Sequence, residues 1–315
     1  MGTPAIRTDH LTKRYGDVLA LDGLDLEVQP GEVFGFLGPN GAGKTTTVRL
    51  LLSLLRPTAG RAWVMGVPVE DVVRAHRHLG YVPGEVALWP QLTGAETLEL
   101  LGNVAGGVDT ALRDELVERF RLDPGLRVRA YSKGNRQKVM LVAAFMTRPD
   151  VLLLDEPTAG LDPLMEAEFQ ALVREAAAQG RTVFLSSHLL DEVEDVCTRV
   201  AILREGRLVE VATLDALRRM GSLVLDAEFD GGPDSAAPDP ADLAALPGVV
   251  SAEPHAGGLR VVVAGSPAPV LARLAAAGVA RLHSHEPTLE EVFLGYYEAT
   301  AGQQGAVAAA HDRGL

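Results

Sequence analysis

The 315 residues provide ample chain for a buried core and suggest about two domains on the usual scale of roughly 150 residues each. Hydrophobic residues make up 47% and charged residues 23%, which excludes disordered and fibrous compositions. A formal net charge of -13 argues against nonspecific nucleic-acid binding, because phosphate backbones are held by clustered Lys and Arg, and a single cysteine excludes an internal disulfide framework.

In chain order, Met1 to Arg14 lack the basic-then-apolar order of a signal peptide, so a chain that stays in the cytosol is expected. Leu24, Leu26 and Val28 alternate as in a half-buried strand, Pro30 and Gly31 make a turn, and Val33 to Leu37 read as a buried strand ending at Gly38. The helix that follows begins inside a glycine-rich loop and carries Val48, Leu51, Leu52 and Leu55. Between about Glu85 and Pro149 helical signals dominate, including a capping box of Thr93 and Glu96 before Leu98, Leu100 and Leu101.

Val151 to Leu154 form a continuous apolar run suited to a central parallel strand. The next helix carries Met165, Phe169, Leu172 and Val173 and stops at Gly180, and Val183 to Leu185 make another strand. Leu189, Val193, Val196, Cys197 and Val200 recur at helical spacing, which makes Cys197 a buried apolar residue. Alternating strands and helices imply a three-layer α/β core. The longest apolar stretches fall far short of the ~20 residues that cross a bilayer, so any membrane link must come through a partner.

A second unit reads as strand 223–229, helix 240–246, strands 249–253 and 259–264, helix 268–277 and strand 279–284. That β-α-β-β-α-β order is ferredoxin-like, with a Gly/Pro/Ala/Asp-rich break at Asp230 to Asp239 inside it. Thr288 and Glu291 are expected to cap a last helix carrying Val292 and Phe293, and from about Thr300 the chain offers no core-forming pattern. His283 and His285 share a strand face without a cluster of further ligands, and no metal is assigned to them.

Gly38, Pro39, Asn40, Gly41, Ala42, Gly43, Lys44 and Thr45 match the phosphate-loop pattern in full, between a strand and a helix. Its glycines let backbone N–H groups converge on phosphates at a helix N-terminus. Lys44 is expected to reach the β and γ phosphates of a nucleotide, and the Thr45 hydroxyl to ligate Mg²⁺. Asp155 and Glu156 place two carboxylates at the end of a buried strand; Asp155 suits Mg²⁺ through its water shell, and Glu156 suits polarising an attacking water. His188 could contact a γ phosphate or be an ordinary surface residue, and Tyr15 could stack on a base or simply pack.

Taken together these residues resemble an ABC transporter ATPase over about Ile6 to Leu217. By that resemblance Tyr15 is the adenine-stacking aromatic, Gly38 to Thr46 the Walker A loop, Asp155 and Glu156 the Walker B pair, and His188 the switch histidine. Ala159 to Asp162 resemble the D-loop, which in the family runs between two subunits. Tyr131 to Gln137 are similar to the family signature, in which Ser132, Gly134 and Asn135 would cap the γ phosphate of ATP held by the opposite subunit.

Departures from the pattern are Lys133 for the first signature glycine, Asn135 for the glutamine, and Gly84 where the family has its Q-loop glutamine. Lys133 could add charge near the γ phosphate or point to solvent, and Glu85 could replace the missing oxygen ligand or be a solvated loop acid.

The resemblance implies an α/β phosphate-loop cassette at residues 1–221, with a RecA-like core and a helical subdomain at about 85–149. A small α+β ferredoxin-like domain at 222–298 and a disordered tail at 299–315 would follow. The implied activity is Mg²⁺-dependent ATP hydrolysis in a homodimer or pseudo-dimer, driving export through a separate permease at the cytoplasmic face of the membrane. Drugs or antibiotics are the implied cargo, and nucleic acid is not an expected partner. A soluble ABC-type ATPase outside transport is the rival reading; a GTPase is disfavoured because no Asn-Lys pair is present to read its base.

Overall fold

The computed structural model describes residues 2–220, 223–229, 237–255 and 257–285. In chain order the first part contains β1 (Ile6–Tyr15), β2 (Val18–Val28), β3 (Val33–Leu37), α1 (Lys44–Leu51), β4 (Ala59–Val64), β5 (Val67–Pro68), α2 (Val72–Ala75) and β6 (Leu79–Val82). It continues with α3 (Gly94–Val104), α4 (Thr110–Arg119), α5 (Lys133–Phe145), β7 (Val151–Asp155), α6 (Pro163–Ala178), β8 (Thr182–Ser187), α7 (Leu190–Val196), β9 (Arg199–Arg204) and β10 (Arg207–Thr213). The chain then divides into a second compact unit beginning at Leu214.

The central sheet of the first unit has the order β10-β9-β3-β8-β7-β6. Its inner strands are parallel, and β10 closes one edge antiparallel to β9. β3, β7 and β8 are buried at every position, as strands covered on both faces must be. Because these three neighbours run the same way, the phosphate loop, Asp155 and His188 leave the sheet along one edge. In open α/β sheets ligands bind outside the carboxyl ends of the strands.

A second sheet, β2-β1-β4-β5, is antiparallel and has no counterpart in the sequence reading beyond Leu24, Leu26 and Val28. Its alternation is obscured in β1, where the register shifts between Thr8 and Leu11 and His10 sits at φ 47°. Ile6, Thr8 and Leu11 all face inward, so the bulge breaks the period of two that strand reading relies on.

The span rich in helical signals holds α3, α4 and α5. The expected capping box at α3 is complete: the Glu96 carboxylate accepts from the Thr93 N–H at 2.7 Å, and Thr93 Oγ1 accepts from the Glu96 N–H at 3.2 Å. Two helical readings need correction. α1 ends at Leu51, with Ser53 at φ 54°, so Leu52 and Leu55 pack on the core from the turn beyond it. The helix α7 ends at Val196; Cys197 is buried as its C-cap, Val200 belongs to β9, and Leu189 is 49% exposed. A strand following a short helix directly reproduced the apolar spacing of a longer one.

The second unit contains α8 (Leu214–Met220), β11 (Leu223–Phe229), α9 (Pro240–Ala244), β12 (Val249–His255), β13 (Gly258–Val263), α10 (Ala268–Ala276) and β14 (Val279–His285). Its antiparallel sheet has the order β12-β13-β11-β14, and Leu225, Ala227, Leu259, Val261, Val263, Val270 and Leu274 form a core of their own. The expected cap at Thr288 and Glu291, the helix with Val292 and Phe293, the tail and most of the 230–239 break lie outside the described residues.

Candidate functional site

The loop after β3 is shaped by close backbone approaches. A Cβ on Gly38 would stand 2.5 Å from the Leu203 carbonyl oxygen, and one on Gly43 would stand 2.6 Å from that of Ala20. Gly43 is also at φ 109°, a conformation that side chains other than hydrogen strongly resist. It forms the N-cap of α1, and no side chain caps that end. The first N–H groups of the helix, at Lys44, Thr45 and Thr46, have no acceptor within the helix and are available to an anion. Thr45 and Thr46 are half-buried, and Pro39, Asn40 and Gly41 are exposed at the loop tip.

Lys44 is only 5% exposed, and its ammonium donates to the carbonyls of Gly38 at 2.5 Å and Pro39 at 3.2 Å. Burial lowers its pKa, and Glu156 and then Asp155 act in the opposite direction. Its Nζ lies 3.9 Å from Glu156 Oε1, and the same oxygen is 3.0 Å from His188 Nδ1. One carboxylate oxygen thus links the phosphate-loop lysine to the histidine. Glu156 occupies φ 47°, an uncommon region for a non-glycine residue, and its N–H donates to the Ser186 carbonyl at 3.0 Å.

Asp155 is 2% exposed at the end of β7 and accepts a hydrogen bond from the Ser186 hydroxyl. Gly84 lies beside it: a Cβ there would stand 3.8 Å from Asp155 Oδ2. Glu85 is exposed. Tyr15, at the end of β1, is 45% exposed with Lys13 Nζ 4.9 Å from its ring centroid.

Ser132, Gly134, Asn135 and Asp162 gather in a second place. Ser132 caps α5 by accepting from the Asn135 N–H at 3.1 Å, and Asp162 caps α6 by accepting from Met165 at 3.1 Å. The two ends meet through Gly160, whose neighbours are Gly134 and the exposed Lys133, whose stem lies along it. Among the described hydrogen bonds and ion pairs none joins these four residues to the loop 38–46.

Several connecting residues carried no sequence signal. Gln137 Nε2 donates to the Pro157 carbonyl at 2.9 Å, and the Thr158 and Ser187 hydroxyls both donate to Glu192. The partners of Gln137 and Thr158 are distant in sequence, so only the folded chain pairs them.

A family model described as ABC transporter matches residues 21–159. The daunorubicin resistance ATP-binding protein DrrA3 of Streptomyces coeruleorubidus is 45% identical over 227 residues, which are 69% of this chain and 71% of that protein. The chain belongs to the ABC transporter ATP-binding family.

This ABC ATPase is also 38% identical over 223 residues to the Nod factor export ATP-binding protein I of Paraburkholderia xenovorans, covering 69% of this chain and 73% of the relative. A solved ATP-binding subunit of an ABC transporter superposes with a TM-score of 0.64 at 32% identity, over 69% of this chain and 92% of that one. A dimeric ATP-binding cassette bound to ADP and Pi shares the fold, with a TM-score of 0.60 at 23% identity over 66% of this chain and 98% of its own. Among the described residues no helix of the ABC ATPase is long and apolar enough to cross a membrane.

Proposed function

We propose that this ABC ATPase hydrolyses ATP between two paired cassettes and couples the cycle to export of a drug or antibiotic through a separate membrane permease. The observation that carries the reading is the meeting of Lys44, Glu156 and His188 beside the phosphate loop. Glu156 orients the attacking water in line with the γ phosphate, and His188 fixes the carboxylate that does so. Lys44 exchanges its carbonyl partners for phosphate oxygens, and the α1 N-terminus holds the remainder. Tyr15 stacks on the base.

Asp155 and Thr45 fit a hard divalent cation, since both offer oxygen and the Asp155 carboxylate is buried with one hydroxyl partner. Mg²⁺ held there would supply positive charge against the phosphate oxygens. Ser132, Gly134, Asn135 and Asp162 would serve the nucleotide of the opposite cassette. That division accounts for their separation from the phosphate loop of their own chain, and it makes pairing part of the reaction.

A protein partner is supported by an apolar groove of about 620 Å³ between the α2–β6 segment and α3. Leu54, Val73 and Val104 line it while largely exposed, as apolar side chains at a protein–protein contact do. Relatives named for daunorubicin resistance support a drug-like cargo. The cassette would then sit on the cytoplasmic face of the membrane through its permease. Purifying the full chain from native membranes in mild detergent tests this: a polytopic membrane protein should copurify, whereas ribosomes or repair factors in its place would move the chain to a soluble ATPase.

A further inference from the structure

The loops that leave β7 and β8 are fastened to each other by one side chain outside the set assigned above. Glu192, in α7, accepts a hydrogen bond from Thr158 Oγ1 on one carboxylate oxygen and from Ser187 Oγ, at 2.7 Å, on the other. Ser187 Oγ also accepts from the Leu189 N–H at 2.9 Å, so the turn that presents His188 is held on both sides. Thr158 lies two residues after Glu156 and Ser187 immediately before His188.

The need for such a fastening is visible in the backbone. Glu156 sits at φ 47°, a region in which a residue with a side chain persists only where its surroundings over-determine it. Gln137 holds Pro157 from the α5 side, and Ser186 accepts the Glu156 N–H from the β8 side. Glu192 supplies the remaining hold. One hydroxyl reaches each of its two carboxylate oxygens, so the side chain ties the two loops together.

We infer that Glu192 is a positioning residue for ATP hydrolysis, its carboxylate clamping the Thr158 and Ser187 hydroxyls so that Glu156 and His188 stay at hydrogen-bond distance. The inference rests on the roles proposed for Glu156 and His188. A helix-end acid with no such role would leave turnover unchanged when removed.

The test compares Glu192→Ala, Glu192→Gln and Glu156→Gln in the full chain, by steady-state ATPase and by binding of a fluorescent ATP analogue. Misplacement of a reacting group by a fraction of an ångström to an ångström costs up to about 100-fold, so Glu192→Ala should lower kcat roughly 10- to 100-fold. KM and analogue affinity should stay within about twofold, the signature of an interaction that matters to turnover rather than to binding. Glu192→Gln should recover most of the rate, because an amide accepts from one hydroxyl and donates to the other. Thr158→Val should slow the wild type but add nothing to Glu192→Ala, as expected of partners in one network.

Wild-type kcat in Glu192→Ala overturns the clamp, and so does a Glu192→Gln enzyme as slow as Glu192→Ala. Should Glu192→Ala fail to fold, Ser187→Ala and Thr158→Val open the clamp separately, and wild-type turnover in both overturns it equally. Normal turnover in Glu156→Gln would instead remove the assignment beneath the inference.

Discussion

Gly134 and Gly160 meet backbone to backbone, with the position of a Gly134 β-carbon only 2.3 Å from the Gly160 carbonyl oxygen. The first turn of α5 and the loop after β7 are therefore in contact with no space for a methyl group. Gly134→Ala must push that loop away, at a cost of about 1–3 kcal/mol by the usual scale of overpacking. Chemical denaturation should show the loss, and ATPase activity should fall with it, since Ser132 and Asp162 are carried on the two segments displaced.

Glu156→Gln keeps the shape of the carboxylate and removes its charge. ATP binding should persist while turnover falls on the order of 10²- to 10⁴-fold, the range for a lost general base. Size-exclusion chromatography with ATP should then show a trapped dimer, and a strictly monomeric profile would count against paired cassettes in the isolated chain.

Lys44→Ala should act on binding instead. Its ammonium is the buried cation at the phosphate loop, 3.9 Å from Glu156. Loss of charged hydrogen bonds to the phosphates should weaken nucleotide affinity by about 100-fold, equivalent to about 2.7 kcal/mol, readable by equilibrium titration.

Tyr81, on β6, supplies a pH dependence. Burial and then the neighbouring Asp155 push its phenol up to about 12, against a smaller opposing effect of Arg49. An unfolded tyrosine titrates near 10, so the unfolded chain gives up this proton first. The stability that Tyr81 contributes is intact below pH of about 10 and is lost as pH rises towards 12. The melting temperature should fall across that window, and Tyr81→Phe should flatten the fall.

Much of the architecture could be read in advance where neighbours in sequence are also neighbours in space. The phosphate loop is one contiguous run between a strand and a helix, and the Thr93–Glu96 box is closed within four residues. The strands and helices of the second unit follow the expected order because each apolar run is short and bounded by turn residues. What escaped depends on long-range pairing or on irregular backbone. The bulge at His10 hid the alternation of β1, and the junction of α7 with β9 mimicked a continuing helix. At the site, nothing in the spacing joins Thr158 to Glu192 or Gly134 to Gly160; those contacts exist only once the α5 end and the edge of the parallel sheet are in place.

The sealing of Cys197 has a practical use. The chain has this one thiol, buried at the end of α7 and pushed well above the ordinary cysteine range by desolvation and by Glu32. A thiolate is the reactive form, so the native protein should be nearly silent to maleimide. It offers a blank background on which one engineered surface cysteine reports cassette closure, with no native residue to be removed first. Labelling at Cys197 itself then marks only molecules in which the α7 region has come open.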